Sequence, residues 1–249
     1  MEFGSPQFWV AVLQIIAIDI LLGGDNAIVI ALACRNLPDK QRKLGIFWGV
    51  FGAVGLRVVL TVFAVSLLSI PFLKIIGGLL LFWIGIKLIL PDDVDDGHQV
   101  DASDSLAGAI KTIIVADFVM SLDNVIAVAA AAKDSWLLII FGLVVSIPII
   151  VWCSQIILKL MERYPFIITA GGALLGYIAG SMIIRDPALA GLWQPPAFEV
   201  GESHVYYGGV AIDYLAGAVG AVLVVVVGKA LARRKAAAGT ATAGEVADR

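Results

Sequence analysis

The sequence predicts an all-α membrane protein of seven transmembrane helices, built as two inverted three-helix repeats plus one C-terminal helix. Three observations predict it. Of the 249 residues, 60% are hydrophobic and only 15% charged, where soluble domains carry about 25% charged residues. Seven apolar stretches approach or exceed the roughly 20 residues that span a bilayer. An acidic motif recurs at a fixed offset in the two halves of the chain. The mean hydropathy of +0.98 excludes a water-soluble fold, and the net charge of −3 gives no nucleic-acid surface.

The first stretch, 7–33, follows an N-terminus without a basic region or an A-x-A cleavage pattern, so it reads as a retained helix and not a signal peptide. The second, 44–68, carries Gly45, Gly49, Gly52 and Gly55 on a small-residue face suited to close helix packing, with Arg57 near its middle. The third, 70–90, ends beside Lys87, whose long stem lets its ammonium snorkel to the interface. Residues 7–90 thus form the first three-helix repeat.

An acidic linker, 91–105, follows, with Asp92, Asp93, Asp95, Asp96, Asp101 and Asp104 around His98. It fails the EF-hand pattern, because Val94 stands where a ligand is required. It reads as a solvated cytoplasmic linker, with a weak cation antechamber as the alternative. The second repeat, 106–184, holds stretches 106–132, 135–158 and 164–184. An external loop, 185–205, rich in Pro and Gly, leads to the seventh helix, 206–231, with Asp213 expected at the interface. The small, polar tail, 232–249, is cytoplasmic on this reading and disordered from Ala236 onward. Two cysteines, Cys34 and Cys153, are too few for a disulfide framework and read as small membrane residues.

Charge asymmetry orients the chain. Placing Arg35, Lys40, Arg42 and Lys43 in the cytoplasm leaves Lys87, Lys111, Lys159, Arg163, Lys229, Arg233, Arg234 and Lys235 on the same side, with only Lys74, Lys133 and Arg185 outside. The N-terminus is then outside and the C-terminus inside.

Self-comparison exposes the repeat. Asp19 to Asn26 reads DILLGGDN and Asp117 to Asn124 reads DFVMSLDN, a D-x5-D-N pattern at an offset of 98. Gly77 to Ile89 aligns with Gly171 to Ile183 at an offset of 94, and Arg57 falls on Gln155. Three helices per half force the second half to enter from the opposite side, which places a site where the halves meet.

Acids inside a bilayer cost several kcal/mol each, so Asp19, Asp25, Asp117 and Asp123 are expected to face a polar interior and to serve a function. Asn26 and Asn124 add neutral oxygens. Such donors suit hard cations such as Mg²⁺, Ca²⁺ or Mn²⁺. Asp19 and Asn26 share a helix face but stand about 10 Å apart along the axis, and Asp25 points about 120° away. Drawing Asp25 inward requires local unwinding, for which Gly23-Gly24 are suited. The expected arrangement is a midplane site at Asp19 and Asp117, with Asp25-Asn26 and Asp123-Asn124 as inner and outer relays; a tighter six-residue site on unwound helices is the alternative. Carboxylates so placed can trade protons for metal. Arg57 is the candidate countercharge for the empty site, or else a structural ion pair with one Asp. The motifs themselves can be read, alternatively, as interhelical hydrogen bonds that only hold the bundle together.

GGDNAIVIAL at Gly23 to Leu32 and ADFVMSLDNVIAVAAAA at Ala116 to Ala132 resemble the signatures of the TerC family of integral membrane proteins, most of all its short YjbE-like branch. The resemblance covers nearly all of 7–231. It implies a divalent-cation transporter that exports manganese, in a family also associated with tellurium resistance. It further implies that Asp19, Asp25, Asn26, Asp117, Asp123 and Asn124 handle the ion.

The leading expectation is therefore a secondary transporter and not an enzyme, without a Walker A motif and without a prosthetic group, with Mn²⁺ as the transported ion. Its expected partners are a divalent cation and the lipid bilayer, not nucleic acid, with a homo-oligomeric or secretion-machinery contact as a further expectation. One alternative is a membrane partner that supplies metal to secreted proteins without net transport. Export of a small amino acid would need a larger, less acidic cavity. An intramembrane aspartyl protease would call for G-x-G-D, where this chain has Leu22 ahead of Gly23-Gly24-Asp25.

Overall fold

The computed structural model describes residues 6–68, 70–90, 102–132, 136–192, 198–200, 205–207 and 210–247, and within these the side chains of 18–24 and 123–132, among others, are not described. Among the described residues seven α-helices follow in order: α1 (Pro6–Cys34), α2 (Asp39–Leu68), α3 (Leu73–Ile89), α4 (Ala102–Ala132), α5 (Trp136–Arg163), α6 (Phe166–Ile184) and α7 (Ile212–Ala247). The helices are apolar on most faces, and prolines punctuate them. Pro6 opens α1, where its missing N–H costs nothing. The Pro38 carbonyl accepts the first turn's bond from the Arg42 N–H at 2.8 Å, while Asp39 lends negative charge to the start of α2. Pro71, Pro91 and Pro165 follow the ends of α2, α3 and α5. The acidic linker lies, up to residue 101, outside the described residues.

Among the described residues, four helical segments are long and apolar enough to cross a membrane: Asp39–Thr61, Ile140–Arg163, Phe166–Ile184 and Ile212–Lys235. Their outward faces agree. Along α2, Ile46, Val50, Ala53, Val54 and Leu60 are buried, while Phe47, Trp48, Phe51 and Phe63 are exposed. In water so continuous an apolar surface would drive aggregation; in lipid it is solvated. Lys87 does extend over a neighbouring ring, with Nζ 5.2 Å from the centre of Trp83.

The chain departs from the sequence-based expectations in several places. A small antiparallel sheet adds strand to the all-α expectation: β1 (Phe198–Val200) pairs with β2 (Val205–Tyr207), and β2 with β3 (Val210–Ala211). The seventh helix consequently starts at Ile212 and not at 206, because the Val-Tyr-Tyr run before Gly208-Gly209 has strand chemistry and a two-glycine turn signal. At its other end α7 continues through Ala247 where disorder was expected, over a segment rich in alanine, the strongest helix former. Helix α1 runs unbroken through Gly23-Gly24, so the local unwinding that would draw Asp25 inward is absent. Asp213 is 1% exposed in the first turn of α7, where the helix dipole favours a carboxylate.

The chain divides into two compact units, and each takes corresponding helices from both sequence halves. The first contains α1, α2, α4 and α5. In it α2 packs along α4, α1 along α5, α1 against α4, and α2 against α5. Gly45 lies against Cys34 and Leu37, Gly49 against Ile113, and Gly52 against Ile114, while Gly55 has nothing within 4 Å of where a methyl group would stand. At one end, Arg42 donates to Glu162 Oε1 at 2.8 Å and to the Arg35 carbonyl at 3.0 Å.

The second unit contains α3, α6, α7 and the sheet. Gly172, Gly176 and Gly180 recur every four residues on α6, which lets two backbones touch. A methyl group on Gly176 would overlap the Gly220 carbonyl, and one on Gly180 the Ala216 carbonyl. Gly85 of α3 approaches Leu175 and the Gly172 carbonyl from the other side. Asp186, buried at 2% exposure, closes this unit: its Oδ2 accepts the Ile75 N–H at 3.0 Å in the first turn of α3, and its Oδ1 accepts the Ala188 N–H at 2.7 Å. Asp186→Ala strands two part-buried donors and is expected to cost about 1–2 kcal/mol, read as earlier thermal unfolding in detergent. Unchanged melting would show that the cap contributes nothing.

Candidate cation site

Three helices of the first unit deliver polar side chains to one buried point. Asn26 comes from α1, Arg57 from α2, and Asp117 and Ser121 from α4; they are 3%, 3%, 6% and 0% exposed. Asp117 and Ser121, four residues apart, share a helix face, so a single helix presents a carboxylate and a hydroxyl together.

Every oxygen of Asp117 is engaged. Its Oδ1 accepts from Asn26 Nδ2 at 2.7 Å and from Arg57 Nη2, and its Oδ2 accepts from the Ser121 hydroxyl at 3.1 Å. Ser121 Oγ in turn accepts from Arg57 Nε at 2.9 Å. The Thr61 hydroxyl donates to the Arg57 carbonyl at 2.8 Å. The pair is therefore a buried, multiply hydrogen-bonded ion pair, the form in which two charges tolerate loss of water. Asn26 Oδ1, by contrast, is buried with no hydrogen-bond partner among the described residues. Beside it is a cavity of about 10 Å³, room for roughly one water centre, lined by Asn26, Val29, Ile30, Ala53, Ile113 and Asp117.

The structure thus brings Asn26, Arg57 and Asp117 together. Arg57 is ion-paired with Asp117, and Asn26 bonds the same carboxylate directly where a separate inner relay was expected. Asp25 is half-buried and turns to its own backbone, its Oδ1 accepting the Asn26 N–H at 2.9 Å. Asp19 falls in α1 and Asp123 and Asn124 in α4, but their side chains lie outside the described residues. Among the described residues no three His, Cys, Asp or Glu side chains cluster. Gln155, which aligns with Arg57, is exposed, so the site is not symmetric in charge. Ser121 stands where the first motif has Gly23, and its i+4 relation to Asp117 is the signal that marks it.

Long apolar helices enclosing a sealed ion pair define an integral membrane protein. The family model described as integral membrane protein TerC family matches residues 4–236, and the chain belongs to the TerC family. It is 48% identical over 184 residues to the uncharacterized membrane protein YjbE of Bacillus subtilis (strain 168), covering 74% of this chain and 84% of that protein. The inner membrane protein YgdQ of Escherichia coli (strain K12) is 27% identical, over 73% of this chain and 83% of its own length. The uncharacterized membrane protein YceF of Bacillus subtilis (strain 168) is 26% identical, over 72% of each chain. No solved structure matches the chain.

Proposed function

We propose that this protein is a secondary transporter that exports a hard divalent cation, with Mn²⁺ as its cargo. One observation carries the reading: a carboxylate, a hydroxyl and an amide oxygen with no hydrogen-bond partner among the described residues converge in the interior of a helix bundle, where a charged group is costly to hold. These are oxygen donors of the kind that hard cations take. The motif partners Asp19, Asp25, Asp123 and Asn124 complete the path in this reading. Membership of the TerC family supports a membrane role.

The reading includes seven spans in two inverted three-helix halves, with the N-terminus outside and the C-terminus in the cytoplasm. The packing of the first unit supports it: exchanging α1 with α4 and α2 with α5 turns the α2–α4 contact into the α5–α1 contact, and returns α1–α4 and α2–α5 to themselves.

Mn²⁺ flux in proteoliposomes tests the proposal, with wild type compared against Asp19→Asn and Asp123→Asn while luminal pH is followed. Wild-type flux that falls about 10–100-fold in both variants is expected, a range typical of disturbed metal sites. A concurrent pH change adds proton coupling. Folded wild-type protein that binds Mn²⁺ but never moves it would replace the transporter by a metal-delivery partner.

A further inference from the structure

The groups that bind the Arg57 guanidinium are the groups that would bind the cargo. Its Nη2 and Nε reach Asp117 Oδ1 and Ser121 Oγ, so one planar cation bridges a carboxylate and a hydroxyl in a buried site. A divalent ion at roughly 2.0–2.6 Å from those oxygens would occupy the same space. Two cations cannot share it, because repulsion grows steeply where water does not screen. Asn26 points the same way: it holds Asp117 through Nδ2 while its Oδ1, beside the cavity, has no partner among the described residues. A buried carbonyl oxygen left so costs free energy that a bound cation would recover.

We propose that Arg57 is a tethered counter-cation that occupies the cargo's position in the ion-free protein, and that Ser121 is a further oxygen ligand exposed when the guanidinium leaves. The proposal rests on the transporter reading and adds its gating rule. The ion-free site stays neutral because the protein carries its own cation, and an arriving ion binds only by displacing it. Apparent affinity is therefore lower than the oxygen set would give alone, by the fraction of molecules in which Arg57 has swung away.

This sets the sign of a mutation. Removing a structural residue weakens binding, whereas removing a competitor tightens it. Equilibrium dialysis of the detergent-solubilised full chain against radiolabelled Mn²⁺ is expected to show Arg57→Gln binding at least about tenfold more tightly than wild type, with slower net efflux from proteoliposomes. Ser121→Ala in the Arg57→Gln background should lose about threefold or more of that affinity. If Arg57→Gln does not fold, Arg57→Lys carries the test: a point charge cannot span both oxygens as the planar fork does, so Mn²⁺ should bind several-fold more tightly. Unchanged or weaker binding in folded Arg57→Gln or Arg57→Lys, with wild-type flux intact, overturns the displacement rule alone. No binding by any variant and no wild-type flux overturns the transporter reading itself.

Discussion

Asp117→Asn is expected to lower Mn²⁺ flux about 10–100-fold and to destabilise the protein by about 3–5 kcal/mol. The two losses have separate causes. Flux falls because the described site loses its one carboxylate at the point where three helices meet. Stability falls because Arg57, 3% exposed, keeps its charge after its counterion is gone. A double variant, Arg57→Met with Asp117→Leu, separates them. Apolar replacement of a buried ion pair is often neutral or stabilising, so melting in detergent should return close to wild type while flux stays lost. Flux restored along with stability would remove Asp117 from the ion path and leave the pair a structural device.

Gly180→Val is expected to cost about 3 kcal/mol or more, the upper end for overpacking, and to part α6 from α7. A methyl group there meets the Ala216 carbonyl, which is backbone, so no flexible side chain can yield. Introduced cysteines on facing positions of α6 and α7 should cross-link efficiently in the parent and poorly in the variant. Gly55→Ala is the contrasting case. With nothing within 4 Å, it is expected to stabilise α2 by about 0.5–1 kcal/mol through helix propensity alone. Equal melting of the two variants would contradict the packing described for α6 and α7.

Most helices were legible because apolar run length is dictated by the thickness of lipid, and prolines and charged loops mark the ends. Thus the stretch 164–184 corresponds to Phe166–Ile184, and 135–158 to a helix that runs on to Arg163. What escaped were features set by local chemistry inside an apolar run. The Val205–Tyr207 strand counted as the start of a spanning helix because hydropathy does not distinguish strand from helix. In the site, the Asn26 and Asp117 motifs and the Arg57 countercharge were visible as costly polar residues. Their direct contact was not, since helix periodicity fixes which residues share a face but not which faces meet. The same limit hid Asp186, whose partner Ile75 is 111 residues away.

The Arg57–Asp117 bond also constrains how the protein is made. The two residues are 60 positions apart. At about 5–20 residues per second, the ribosome delivers Asp117 roughly 3–12 s after Arg57. Throughout that interval a nascent α2 carries an arginine whose final counterion has not been synthesised. The acids of α1 already made by then are Asp19 and Asp25. The pair is therefore completed only once α4 has been made, so the fourth helix sets the earliest point at which this part of the bundle can close.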